Sequence, residues 1–223
     1  MDKELFIAGL TKFAIGVVII GILLFLPAGT LHWWRGWLFM GILFVPMFVA
    51  GLVMMAKAPD LLRKRLDAKE DESEQREVLA LSALMFIAAF VVAGLGFRFG
   101  WPELPVWATW LGAVVFLASY ALYAEVMREN AYLSRTIEVQ DEQHVVDTGL
   151  YGIVRHPMYS TTLLLFISMP IVLGSPFSFV IMLAYFPIIA KRIRNEEEVL
   201  AAGLEGYSEY LERVKWRLIP HIW

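Results

Sequence analysis

Cysteine is missing from this chain of 223 residues. That excludes disulfides, thiolate metal sites and a cysteine nucleophile, and leaves the redox compartment open. Basic tracts are missing too. The 19 Lys and Arg against 22 Asp and Glu give a net charge of −3, and nothing in that balance points to nucleic acid. The four histidines, His32, His144, His156 and His221, have no ligand spacing, so no metal is expected. Charge of either sign is scarce, at 18% of residues, where soluble domains carry about a quarter. There is no internal repeat and no low-complexity linker. The opening "MDKELFIAGLTKF" lacks a convincing small-residue cleavage site, so it is expected to be a retained first span rather than a signal peptide.

What is present is apolar: 59% of the chain, gathered in blocks. Six apolar segments stand out, at 6–26, 36–56, 78–97, 104–124, 157–173 and 176–190. The first four approach the ~20 residues of a membrane-spanning helix. The last two are short and are joined by "LGSP" (Leu173 to Pro176). The expected fold is therefore an all-α integral membrane protein. It has about five to six transmembrane helices, a C-terminal helical hairpin and a cytoplasmic amphipathic helix. Residues 1–127 form an N-terminal four-helix transmembrane region, and 128–223 carry the chemistry.

Charge placement gives an orientation. With a cytoplasmic N-terminus, 17 of the 19 Lys and Arg fall on the inner side, and only Arg35 and Arg98 fall outside. Lys12 is the weak member, since it lies within the first segment and has to snorkel. Both termini are then cytoplasmic. "LHWWRGW" (Leu31 to Trp37) and "WPELPVWATW" (Trp101 to Trp110) supply an outer aromatic belt. Three polar pieces face the cytoplasm: 57–77, 125–156 and 191–223. The first reads as a solvated loop with an interfacial helix.

The other two pieces flank the hairpin. "GLYGIVRHPMYS" (Gly149 to Ser160) sets Arg155 and His156 directly before Pro157. Proline suits a first helical turn, so His156 stands at a helix N-terminus, where free N–H groups and the dipole favour an anion. Tyr159 lies one turn in. Two readings stand side by side: interfacial anchoring, or a ligand site. Upstream, the strip 143–146 is either an ordinary loop or an extended edge offering main-chain groups. Downstream, Val199, Leu200, Leu204, Tyr207, Leu211 and Val214 recur at helical spacing. Their apolar face either lies on the membrane or covers a site. Arg192 and Glu196 share a face four residues apart. Glu197 and Glu198 read as solvated acids, and Asn195 with Glu198 as a capping box. The hairpin brings its ends together, so polar and ionisable groups converge at membrane depth, which points to a functional site. "GLGFRFG" (Gly94 to Gly100) ends a membrane helix without a βαβ unit and is no dinucleotide fingerprint.

Two of these stretches carry a family resemblance. "GLYGIVRHPMY" is similar to G-x-Y-x-x-x-R-H-P-x-Y, and "RIRNEEEVL" (Arg192 to Leu200) to R-x-x-x-E-E-x-x-L. "YSEY" and "LIP" follow in order. The chain resembles the isoprenylcysteine carboxyl methyltransferase family and its relatives the phospholipid N-methyltransferases, over roughly 130–220. It departs at Thr161, where the family often has Gly, and at Leu204-Glu205, where it usually has Phe-Gly. The resemblance implies S-adenosyl-L-methionine bound without a Rossmann fold. It implies that Gln140, Gln143, His144, Val145, Val146, Tyr151, His156, Pro157, Met158, Tyr159 and Glu196 surround that cofactor. It sets Arg192 at the substrate, with Arg192 and Glu196 as the catalytic pair. The implied partners are membrane lipids and a lipophilic small-molecule or lipid-anchored acceptor.

The residues agree with that chemistry. Arg155, His156 and the helix mouth suit a carboxylate. Glu196 suits an ammonium or ribose hydroxyls, and tyrosine rings suit adenine or a sulfonium. Methyl transfer needs positioning rather than a metal or covalent nucleophile. Two alternatives remain: an NADPH-dependent membrane reductase, because some sterol reductases have a similar C-terminal half, and a non-catalytic membrane protein.

Overall fold

The structure is a computed structural model that describes residues 3–67, 73–130, 132, 139 and 143–223. In chain order the helices are α1 (Lys3–Ala28), α2 (Trp34–Lys57), α3 (Pro59–Asp67), α4 (Ser73–Arg98), α5 (Val106–Glu129), α6 (Pro157–Val172), α7 (Pro176–Met182), α8 (Tyr185–Gly203) and α9 (Tyr207–Arg213). A 3-10 turn at Gly149–Gly152 precedes α6. No strand occurs among the described residues.

Among the described residues, five helical stretches are long and apolar enough to cross a bilayer: Lys3–Ala28, Trp34–Lys57, Glu77–Arg98, Val106–Glu129 and Pro176–Gly203. The protein is a multi-pass integral membrane protein. The sixth stretch, α6, has 16 residues, about 24 Å at 1.5 Å per residue, short of the ~30 Å hydrocarbon core. The sequence made both members of the last hairpin short. The second instead runs on helically past residue 190 to Gly203, with a break at Leu183 and Ala184. Pro187 accounts for the break: it has no N–H to give, and its ring collides with the carbonyl four residues back, that of Leu183. Asn195 therefore lies inside α8 rather than capping a new helix.

Packing follows from small residues and aromatic rings. α1 lies along α4, and α6 lies along α5; α7 packs on α4 and α6. Gly94 is where α4 meets α1: a Cβ there would sit 2.6 Å from the Leu24 carbonyl oxygen. Phe39 is buried between Phe90 and Phe116, with ring centroids 5.6 and 5.9 Å away. Between apolar helices in lipid, such close packing is the main attraction, because lipid tails are as apolar as the helices themselves. Ile15, Val18, Ile22, Val45 and Val114 lie on the outside, facing the bilayer.

The end of the bundle that holds the α1–α2 turn is clasped by Arg35. Although the sequence placed Arg35 in a loop, it lies in the first turn of α2 and is 4% exposed. It donates to Glu103 Oε2 at 2.8 Å and to the Leu104 carbonyl at 2.8 Å. The Leu104 N–H in turn donates to Gly174, between α6 and α7. Trp33 is also no boundary anchor. It is buried and stacked on Phe97 at 5.3 Å, whereas Trp34, Trp37, Trp107 and Trp110 are exposed.

Candidate functional site

The site lies at the opposite end, where α6 begins and α8 leaves the apolar layer. Gly149 shapes the approach. It has φ +52°, which a side-chain-bearing residue enters at a cost, and a Cβ there would overlap the Glu129 carboxylate. That carboxylate accepts from the Leu150 N–H at 3.0 Å. The turn buries Tyr151, whose carbonyl accepts from the Tyr210 hydroxyl at 2.8 Å. The C-terminal segment then pairs with the chain just before α6: Arg155 N–H donates to Trp216 O at 2.8 Å, and His156 N–H to Arg217 O at 2.9 Å. Pro157 is the first residue of α6, as its missing N–H allows.

His156 and Tyr159 at the start of α6 meet Arg192 and Glu196 on α8. Arg192 Nε donates to the Tyr159 hydroxyl at 2.9 Å, and that hydroxyl donates to Glu196 Oε2 at 2.5 Å. The His156 ring lies over the Tyr159 ring, centroids 5.7 Å apart and 29° from parallel. His156 Nδ1 is 3.9 Å from Glu196 Oε1. The expected convergence of the hairpin's ends is thus present in the geometry.

Around these groups lies a cleft with about 810 Å³ of empty space, its open mouth included. Of the residues named from sequence, Gln143, His144, Val145, Val146, Tyr151, His156, Met158, Tyr159, Arg192 and Glu196 line it. Pro157 does not; it is buried at the head of α6 and sets the position of its neighbours. Gln140 lies outside the described residues. The strip 143–146 has no regular secondary structure, and Val145 packs on the α9 cluster.

The structure adds residues that the sequence did not nominate. Asn130 ends α5, and Tyr132 follows with its hydroxyl 2.9 Å from His144 Nδ1; both line the cleft. No local motif marked them, because their placement depends on how α5 packs on α6. Tyr207 and Tyr210 also line it, with Leu200 and Leu204. That decides between the two uses of this apolar face: these four cover the site. The spacing predicted one helix, but the chain breaks after Gly203 and restarts as α9, with Gly206 at φ +81°. Burial pushes the phenols of Tyr151, Tyr207 and Tyr210 up, and for Tyr207 the charges of Glu197 and Glu196 add to it. These rings remain protonated at neutral pH.

The main correction concerns Glu197. Read as a solvated acid, it is 6% exposed. Oε1 lies 2.9 Å from Arg155 Nε and 3.1 Å from His156 Nε2, and Oε2 lies 2.8 Å from Arg217 Nε and Nη2. The Arg155 N–H is not aimed at the oxygen, so that contact is charge against charge rather than an aligned hydrogen bond. The helical spacing that put Glu196 on the cleft puts Glu197 one residue round, against the C-terminal segment.

Comparison with known proteins bears on this arrangement. The model of the isoprenylcysteine carboxyl methyltransferase (ICMT) family matches residues 110–202, which include both motifs. Over that stretch, which holds the site, the chain is similar to that family. A protein-S-isoprenylcysteine O-methyltransferase of Dictyostelium discoideum is 26% identical over 161 residues, 68% of each chain. A Delta(14)-sterol reductase of Methylotuvimicrobium alcaliphilum is 26% identical over 137 residues, 54% of this chain but about a third of the reductase's length, at 32%. In fold, the chain is similar to a solved eukaryotic intramembrane Ras methyltransferase of the family: TM-score 0.59, 20% identity, 92% of this chain and 74% of that one.

Proposed function

We propose that the protein is a membrane methyltransferase that uses S-adenosyl-L-methionine. The carrying observation is the chain Arg192–Tyr159–Glu196 on the wall of a cleft where α6 and α8 meet. The donor set suits that cofactor. Glu196 is an acceptor for an ammonium or for ribose hydroxyls. The faces of Tyr159 and Tyr207 suit a flat base or a sulfonium. The first turn of α6, with Met158 and Tyr159, presents N–H groups that have no acceptor within the helix. His144, Val145 and Val146 form the facing wall.

When bound, S-adenosylmethionine supplies an activated methyl carbon. The chain's own residues then position and shield. Arg192 Nε is tied to Tyr159, which orients the guanidinium on the cleft wall, and a planar guanidinium suits an acceptor carboxylate, as in an isoprenylcysteine. A carboxylate acceptor has no proton to lose, so no base is required. A lipid amine or thiol would need one, and Glu196 is placed to take the proton. Leu200, Leu204, Tyr207 and Tyr210 exclude water from one side. In this reading both termini and the cleft face the cytoplasm, and a lipophilic or lipid-anchored acceptor arrives from the bilayer. Residues 1–127 form the membrane body, and 128–223 the cofactor region.

The match to a sterol reductase keeps a nicotinamide-dependent reduction as the second reading. The methyltransferase relative is covered over twice the share of its length, which favours the first. Calorimetric titration of S-adenosylhomocysteine and, separately, NADPH into the detergent-purified chain decides between them. Saturable S-adenosylhomocysteine binding with no NADPH response supports methyl transfer. NADPH binding alone moves the protein to the reductases. Silence from both, from folded protein, leaves a non-catalytic role ahead.

A further inference from the structure

We infer that Glu197 is a positioning residue that sets which imidazole atom of His156 faces the cofactor cleft. The link to cofactor rests on the proposed function; the link to the imidazole rests on geometry alone. Glu197 is one residue past Glu196 on α8, and its side chain turns away from the cleft into a junction with Arg155, His156 and Arg217. A carboxylate between two guanidiniums offers only acceptor oxygens. The imidazole nitrogen beside it, Nε2 at 3.1 Å, must then carry the hydrogen. Nδ1 is thereby left on the side of Glu196, 3.9 Å from Oε1. The hydrogen on one ring nitrogen is set by the bond that the other makes, often to a backbone carbonyl or a carboxylate. The ring plane is held as well. Tyr159 stacks on one face, and the backbone of His156 is tied to Arg217, which Glu197 also binds through Nε at 2.8 Å. One carboxylate therefore joins three parts of the chain: α8, the motif before α6 and the C-terminal segment.

A merely structural clamp would have the same contacts, so the test must read the imidazole. Nitrogen-15 labelling of histidine in the full chain, in detergent, gives imidazole signals for four residues, and the one lost in His156→Ala is His156. The expected wild-type pattern is a ring with hydrogen on Nε2. Neutral His156 with hydrogen only on Nδ1 would overturn the inference without any variant at Glu197. In Glu197→Gln, the His156 signals should shift, and S-adenosylhomocysteine affinity should fall about tenfold, as for loss of a charge-assisted hydrogen bond. In a His156→Ala background the same substitution should cost less than about twofold further, because residues acting through one another are not additive. Unchanged His156 signals in a folded Glu197→Gln protein, or a full second loss in the His156→Ala background, would overturn it. If the wild type does not bind S-adenosylhomocysteine, the proposed function fails, and the imidazole spectrum still decides the role of Glu197.

Discussion

Tyr159 stands between Arg192 and Glu196 and bonds to both, accepting from the guanidinium at 2.9 Å and donating to the carboxylate at 2.5 Å. Its hydroxyl is the only atom of that side chain that does so, and the ring beneath is packed on His156. Tyr159→Phe keeps the ring and removes both bonds. Arg192 and Glu196 then lose their common anchor and their fixed separation. Turnover is expected to fall roughly 10- to 100-fold, about 1.4–2.7 kcal/mol of barrier. S-adenosylhomocysteine affinity should change less. Steady-state kinetics with labelled methyl donor, beside calorimetric binding, separates the two. An affinity loss as large as the turnover loss would place Tyr159 in ground-state binding alone.

In the proposed function His156 and Glu196 hold the cofactor and Arg192 the acceptor. His156→Ala and Glu196→Ala are each expected to weaken S-adenosylhomocysteine binding, whereas Arg192→Ala mainly lowers turnover at unchanged cofactor affinity. Loss of one hydrogen bond to a charged group corresponds to about 1.5–3 kcal/mol, or roughly 10- to 150-fold. Normal cofactor affinity in both of the first two variants would sink the site assignment.

Much of this site was legible because its residues are local in sequence. Arg155, His156, Pro157 and Tyr159 announce a helix start by their order alone, and Arg192 with Glu196 share a face by helical spacing. What brings the two groups together is the short return through Leu173 to Pro176, also readable. Three things were not. Asn130 and Tyr132 reach the cleft through tertiary packing that leaves no local pattern. Glu197 looks like its neighbour Glu198 in sequence; only the path of the C-terminal segment, which sends Arg217 back beside Arg155, buries the one and exposes the other. The continuation of the last span into α8 was hidden because polar residues after 190 resemble a helix end, while the actual break comes earlier, four residues before Pro187.

Gly149 is required for two separate reasons, and they predict the same direction. Its φ of +52° disfavours any residue with a Cβ, by about 1–2 kcal/mol. The Glu129 carboxylate occupies the space a Cβ would take. Gly149→Ala must displace that carboxylate and weaken its bond from the Leu150 N–H. A lower thermal midpoint is expected, together with weaker cofactor binding, since Tyr151 rides on the same turn. A midpoint equal to wild type would mean that the turn relaxes freely and does not hold the cleft wall.

The buried tyrosines predict how stability depends on pH. Tyr151, Tyr207 and Tyr210 have phenols pushed up by burial, with Glu197 and Glu196 adding to the effect at Tyr207. In the unfolded chain the same phenols ionise near 10. Above about pH 10, the unfolded state therefore binds fewer protons than the native state, and unfolding becomes easier as pH rises. Below that value the three phenols are protonated in both states, and their contribution is fully present. Thermal midpoints followed by tryptophan fluorescence in detergent should show no tyrosine-linked decline up to about pH 9 and a steep decline beyond 10. Tyr207→Phe removes the group whose ionisation is opposed both by burial and by two nearby carboxylates. Its midpoint should fall less steeply above pH 10 than that of the wild type. An equal slope would mean that Tyr207 is already ionised in the native cleft, and that the cover formed by α9 is open to water.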